Sequence, residues 1–259
     1  MLTKEWGSTL LKPIEKIRFY IDLYSFCQKR KKDKSTETEQ FSSECIPKII
    51  HYCWFGRGKY SPLIEKCMKS WQDILPEYEF VLWNEENFPF EQYPFALEAY
   101  DKKKYAFVAD VARLHALYEN GGIYLDTDTE ILKPLDSFLN HGAFSGYESY
   151  GGMNKRIQMG LVGAKKQHTW IKLLLSWYEG KHVAGYHLFT PNTRLISKVT
   201  EHYYGVKLDG KPLILENDVH IYASTYFSPG GKITEKTHCI HQYAGNQEER
   251  FKRKPHGQE

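Results

Sequence analysis

The residues best suited to chemistry stand in one short run, Asp126-Thr127-Asp128. They follow Ile123-Tyr124-Leu125, whose apolar and aromatic character predicts a short strand. Strand side chains alternate, so Tyr124, Asp126 and Asp128 are expected on one face and Thr127 on the other. Two carboxylates leaving one strand end repel each other unless protons or a cation intervene. Mg²⁺ takes one or two carboxylates together with phosphate oxygens, and a bound metal can neutralise charge as it develops on a departing diphosphate. Taken alone, an Asp-x-Asp is more often a turn or a solvated pair, so its neighbours must decide.

The element before it is a predicted helix over Tyr105 to Glu119, stopped by Asn120-Gly121-Gly122. Asp110 and Arg113 lie three apart and share a face of it. Around them stand Phe107, Val108, Val111 and Leu114, and a helix apolar on most sides is buried. A buried Asp and Arg need partners. A mutual ion pair or the hydroxyls of a bound sugar would each supply them, and both readings stay open at this point. Upstream, Pro47 to Phe55 reads as a buried first strand broken by Gly56-Arg57-Gly58. Pro62 to Trp71 reads as a helix closed by Leu75-Pro76, and Tyr78 to Trp83 as a second strand. Strand and helix alternate, which predicts an α/β sheet with ligands beyond the carboxyl ends of its strands.

The 259 residues allow one large domain, and the 41% hydrophobic and 26% charged composition is that of a globular protein. No apolar run approaches a membrane span, and the amino terminus lacks the pattern of a signal peptide. Five scattered cysteines without a Cys-x-x-Cys pair favour reduced thiols, so a cytoplasmic location is expected. A net charge of +3 gives no ground for a nucleic-acid partner.

Three segments are expected: 1–45, 46–245, and a basic tail over 246–259. In the first, Leu10, Leu11, Ile14, Ile17, Ile21 and Tyr24 recur at helical spacing, flanked by Lys12, Lys16 and Arg18. A basic run from Lys29 to Lys34 and a polar linker from Ser35 to Glu44 follow. Two readings compete: a helix packed on the domain, or an interfacial helix in peripheral contact with an anionic membrane, at the inner face of the cell membrane.

The run from Ala109-Asp110-Val111-Ala112-Arg113 through Gly121-Gly122-Ile123-Tyr124-Leu125-Asp126-Thr127-Asp128 resembles the DXD-containing sugar-binding region of the Och1-like glycosyltransferases, family 32. Ile46-Pro47-Lys48-Ile49-Ile50-His51-Tyr52-Cys53-Trp54-Phe55-Gly56 resembles that family's first strand. The resemblance covers roughly residues 46 to 245. It implies a GT-A, Rossmann-like α/β fold with a mixed central sheet, to which this chain adds the amino-terminal helical segment. It also implies a UDP- or GDP-sugar donor, Mn²⁺ or Mg²⁺, and transfer of a hexose or N-acetylhexosamine with retention of configuration. Bacterial capsular and lipopolysaccharide transferases belong to the family, so the implied acceptor is a polysaccharide or a lipid-linked oligosaccharide of a capsule or cell surface.

Carried over by position, Trp54 would stack on the base, with core packing as the alternative. Asp110 and Arg113 would hold sugar hydroxyls, Asp126 would contact ribose and the metal shell, and Asp128 would ligate the metal. Tyr124 would line the donor pocket or stay in the core. His51 is expected to be a satisfied strand histidine and His238 an unrelated surface residue. The family's closing His-His-x-x-x-Ser-Trp pattern reads His241-Gln242-Tyr243-Ala244-Gly245-Asn246-Gln247 here. It leaves His241 as a metal or diphosphate ligand, better suited to Mn²⁺ than Mg²⁺, and puts closure of the site by that tail in doubt. Nothing in the sequence names a catalytic base. A nucleotide-sugar hydrolase and a carbohydrate-binding protein without catalysis are the alternatives.

Overall fold

The computed structural model describes residues 13–34, 45–149, 155–185, 190–230 and 232–244. The predicted positions Leu10, Leu11 and Lys12, the linker 35–44 and the tail 246–259 lie outside the described residues.

Seven strands form one mixed sheet: β1 (Ile49–Cys53), β2 (Glu79–Trp83), β3 (Gly122–Leu125), β5 (Ala143–Gly146), β6 (Leu161–Ala164), β7 (Leu213–Leu215) and β8 (Val219–Tyr222). Their order is β2-β1-β3-β6-β5-β8-β7. β1 runs parallel to β2 and β3, β6 runs antiparallel to β3 and β5, and β5 runs parallel to β8. A second, two-stranded sheet pairs β4 (Thr129–Ile131) with β9 (Cys239–His241). The helices are α1 (Pro13–Lys34), α2 (Pro62–Ile74), α3 (Pro94–Asp101), α4 (Tyr105–Asn120), α5 (Thr169–Ser176), α6 (Asn192–Tyr204) and the short α7 (Ser224–Phe227).

α4 is the central helix. It packs on β1 and β3 on one side and on α3 and α5 on the other, which explains why Val108, Val111, Ala112, Leu114 and Leu117 are all buried. Gly121 and Gly122 let it turn straight into β3. Their φ angles are +70° and +107°, and a Cβ on Gly122 would stand 2.6 Å from the Ile49 carbonyl oxygen, so a larger residue would force β1 and β3 apart. His51, on β1, is buried and satisfied as expected: Nε2 meets the Gly121 carbonyl at 2.8 Å and Nδ1 accepts from the Trp83 indole at 3.1 Å.

One local expectation needs correction. β3 ends at Leu125, and Asp126-Thr127-Asp128 is a turn closed by Thr129 N–H donating to the Asp126 carbonyl at 2.9 Å. Alternation along a strand is therefore not what brings the two carboxylates together. Downstream, β6 starts at Leu161, where Gln158 folds back and its side chain bonds both N–H and C=O of that residue. α1 forms over Pro13–Lys34 and packs on the domain. Its buried residues are Phe19, Leu23 and Cys27, packed toward α6 and Trp177, while Ile14, Ile17, Ile21 and Tyr24 face outward.

Candidate functional site

Beyond the carboxyl end of β3 lies a cleft of about 740 Å³, and Trp54, Asp110, Arg113, Tyr124, Asp126, Asp128 and His241 all border it. The chain thus gathers every residue the sequence singled out for the site, from the loop after β1, α4, β3, the Asp turn and β9.

Arg113 is the organiser. Its Nη1 donates to Asp126 Oδ1 at 3.2 Å and to the Met159 carbonyl at 2.6 Å, Nη2 donates to Asp110 Oδ1 at 3.0 Å, and Nε donates to the Ala109 carbonyl. A guanidinium carries five N–H groups, so this leaves one for a ligand. The guanidinium also sits 4.6 Å from the centre of the Tyr124 ring. Tyr124 is buried, and its hydroxyl donates to Asp126 Oδ1 at 2.9 Å, so it aims that carboxylate. Asp110 also accepts from Asn192 Nδ2 at 2.8 Å. Burial pushes its carboxyl up to about 6, against the pull of Arg113.

Asp126 and Asp128 divide their oxygens in the same way. Asp126 gives Oδ1 to Tyr124 and Arg113, and Asp128 gives Oδ2 to the Ala244 N–H at 2.8 Å. Their other oxygens converge on one imidazole, with His241 Nε2 at 3.1 Å from Asp128 Oδ1 and 3.8 Å from Asp126 Oδ2. β9 delivers that ring. Thr129 stands opposite His241 in the β4–β9 pair, and Gln242 N–H donates to the Asp128 carbonyl at 3.0 Å. Burial by itself would lower the His241 pKa, but its hydrogen bond to Asp128 and the charges of Asp128, Asp126 and Glu148 reverse this and raise it. Burial likewise opposes ionisation of Asp128, and His241 with backbone N–H groups turns the net shift downward.

These three groups fit a divalent cation. Their ligating atoms lie within 4.8 Å of one another, a span that an ion could bridge with only small movements. Two carboxylate oxygens and an imidazole are the mixed oxygen and nitrogen donors that suit Mn²⁺. Gly160 makes room for them: a Cβ there would stand 2.9 Å from Asp126 Oδ2 and 3.0 Å from His241 Nδ1.

Trp54 borders the same cleft. Its indole N–H donates to the Gly58 carbonyl at 2.7 Å, and Tyr60 meets it edge-on at 4.6 Å. His238 stands apart from the cleft lining, with Nδ1 bonded to the Pro134 carbonyl.

Sequence reasoning missed Gly160, Glu148 and the start of α6. Glu148, on the loop after β5, borders the cleft, and burial raises its carboxyl against a hydrogen bond to Thr193 and the charge of His241. Asn192 and Thr193 border the cleft from the first turn of α6, whose helical start after Pro191 is the one signal that could have drawn attention to them.

Residues 61–145 match the family described as glycosyltransferase sugar-binding region containing DXD motif. Inositol phosphoceramide mannosyltransferase 3 of Schizosaccharomyces pombe is 37% identical over 136 residues, covering 50% of this chain and 36% of that protein. Mannosyl phosphorylinositol ceramide synthase SUR1 of Saccharomyces cerevisiae is 32% identical over 108 residues, covering 39% of this chain and 27% of that one. The chain thus spans about a third of the length of the curated relatives it matches. Both are yeast proteins, so the family expectation stands while its bacterial and capsular setting gains no support. Among solved structures, the PaToxG glycosyltransferase is similar with a TM-score of 0.49 at 17% identity, covering 71% of this chain and 79% of that one. The expected α/β class, a mixed central sheet with an amino-terminal helix, is what the chain forms. Through residues 61–145 the chain is similar to the glycosyltransferases with a DXD-containing sugar-binding region.

Proposed function

We propose that this chain transfers a sugar from a nucleoside-diphosphate sugar to an acceptor hydroxyl, with retention of configuration and with a divalent cation as cofactor. One observation carries the reading: two carboxylate oxygens and one imidazole nitrogen, each fixed from behind, converge in a cleft roomy enough for a nucleotide sugar. Asp128, Asp126 and His241 hold the cation, which when bound offsets charge on the departing diphosphate. Trp54, which borders the cleft, would stack on the base, with uracil and guanine both acceptable to its face. Asp110, fixed by Arg113 and Asn192, accepts from sugar hydroxyls. The acceptor oxygen bonds to the anomeric carbon on the face from which the diphosphate leaves, and the departing phosphate oxygen takes the acceptor's proton.

The donated sugar is a hexose or N-acetylhexosamine. Of the two expected acceptor classes, a lipid-borne headgroup is favoured over a free polysaccharide, since two yeast relatives are named for mannosyl transfer and for inositol phosphoceramide or its mannosylated product. The cytoplasm is the proposed location, supported by five free thiols, four of them buried.

The test is a screen of UDP- and GDP-sugars for thermal stabilisation of the full chain in Mn²⁺, followed by product analysis with and without a glycolipid acceptor. A ligand that binds only the native state raises apparent stability by mass action. Metal-dependent stabilisation by one donor, with its sugar found on the acceptor, is the expected result. Release of free sugar at the same rate with and without acceptor would make the chain a hydrolase instead, and stabilisation without turnover would make it a binding protein.

A further inference from the structure

α1 has two apolar faces, and the fold covers one of them. Phe19, Leu23 and Cys27 are buried against α6 and Trp177. Ile14, Ile17, Ile21 and Tyr24 are 64%, 61%, 59% and 62% exposed. At 3.6 residues per turn these four fall within a sector of about 80°. Elsewhere among the described residues, large exposed apolar side chains stand singly, at Leu97, Ile214 and Ile233, which is ordinary for a protein surface. Four in a row on one helix is not.

The charge of the same helix says what covers that stripe. Over Pro13–Lys34 there are seven basic and three acidic side chains, a net +4, while the chain as a whole carries +3. Arg18 and Lys29 fall on one flank of the stripe and Lys31 on the other, and all three are exposed. A second copy of α1 would bring like charges together, and a stripe of four side chains falls far short of the roughly 20–30 residues a side of a stable interface. No helix among the described residues is long and apolar enough to cross a membrane. An amphipathic helix with a basic rim instead lies in the plane of a bilayer surface.

We infer that the outward face of α1 docks this chain on an anionic lipid bilayer. The inference rests on the lipid acceptor proposed above and gives it a physical route. α6, on which α1 packs, begins with Asn192 and Thr193 in the cleft lining, and Arg194 of the same turn sits 5.9 Å from the Phe19 ring centre. One helix therefore separates the membrane-facing stripe from the sugar site, and docking holds the cleft close to a headgroup acceptor in the same leaflet.

The test is co-sedimentation of the full chain with phosphatidylcholine vesicles, alone and with roughly a third phosphatidylglycerol. The chain is expected to partition onto the anionic vesicles at least about tenfold better, and to lose that preference in high salt. Ile17→Asp with Ile21→Asp, at exposed positions, is expected to lower binding at least about tenfold, and Lys29→Glu with Lys31→Glu by a similar factor at about fivefold per basic residue near the surface. Both doubles should keep the parent's melting temperature and metal-dependent nucleotide binding, which separates loss of docking from failure of the donor site. Equal partition onto both vesicle types, no partition onto either, or parent-like binding by the Ile17→Asp/Ile21→Asp chain would overturn the inference. So would a dimer, seen by sedimentation without lipid, that the same double variant dissociates.

Discussion

Asp126, Asp128 and His241 meet beyond the carboxyl end of β3, whereas His141, Asp218 and His220 meet at the amino ends of β5 and β8, and each trio brings its ligating atoms within 4.8 Å of one another. In residue types they are nearly equivalent. They differ in what their lone pairs already do. In the cleft, Asp126 and Asp128 each spend one oxygen on the scaffold and turn the other toward His241. In the second trio, Asp218 does the same, accepting from Gly142 N–H at 2.7 Å with Oδ2 and turning Oδ1 to His220 Nε2 at 2.7 Å, so the difference lies in the second histidine. His141 Nε2 is taken by the Tyr222 hydroxyl at 2.7 Å, and the two rings stack at 3.8 Å and 18°. Stacked rings send their in-plane lone pairs along parallel lines instead of toward a common point. The composition of a cluster does not make a metal site; the direction of its unspent lone pairs does.

The largest expected effect is that of Asp128→Ala, which removes the oxygen nearest His241 and with it metal-borne stabilisation worth several kcal/mol, on the order of a 10³-fold loss of turnover. The fold should persist by circular dichroism. Tyr124→Phe leaves both carboxylates in place and deletes only the hydroxyl that aims Asp126, and partners of this kind are worth about 10- to 100-fold in metal affinity. Isothermal titration with Mn²⁺ measures that loss.

The third prediction is a pH difference between the clusters. In the metal-free protein the His241 pKa is raised by its carboxylate neighbours, whereas that of His141 is lowered, first by burial and then by His220. Protonated His241 therefore stabilises the fold below the ordinary imidazole value of about 6.5, and that contribution fades as pH rises through its raised pKa. The His141 contribution runs the other way, present above the ordinary value and lost as pH falls toward its lowered one. A ligating imidazole must be neutral, so Mn²⁺ affinity should weaken as acid protonates His241. Imidazole NMR titrations of the metal-free chain check the order, and His141 holding its proton to higher pH than His241 would contradict it. The smallest effect belongs to His220→Ala, whose turnover and Mn²⁺ affinity should match the parent in the same assays.

Much of this site was legible along the chain because α4, the turn and β3 are contiguous: Asp110, Arg113, Tyr124, Asp126 and Asp128 stand within nineteen consecutive positions of one another. What was not legible arrives from far away. Gly160 matters only because β6 runs back beside β3, and the Ala244 N–H only because β9 pairs with β4. The reading of Asp126 and Asp128 as strand neighbours gave the right convergence for the wrong reason, since a turn and a distant histidine achieve it. α1 shows the same limit. Its periodicity marked an apolar stripe at Ile14, Ile17, Ile21 and Tyr24, but a helix with two such stripes does not say which one the fold covers. Phe19 and Phe26 meet the Trp177 ring edge-on, and that aromatic contact, invisible in local spacing, decided the packing.

The most direct test of the metal centre is the electron paramagnetic resonance of Mn²⁺ titrated into the full chain with UDP or GDP present. The account predicts one tightly bound ion per chain, whose signal returns to that of free Mn²⁺ in the Asp126→Ala/Asp128→Ala double and is unchanged in His220→Ala. A bound ion that survives loss of both cleft carboxylates, or that disappears with His220, would contradict it.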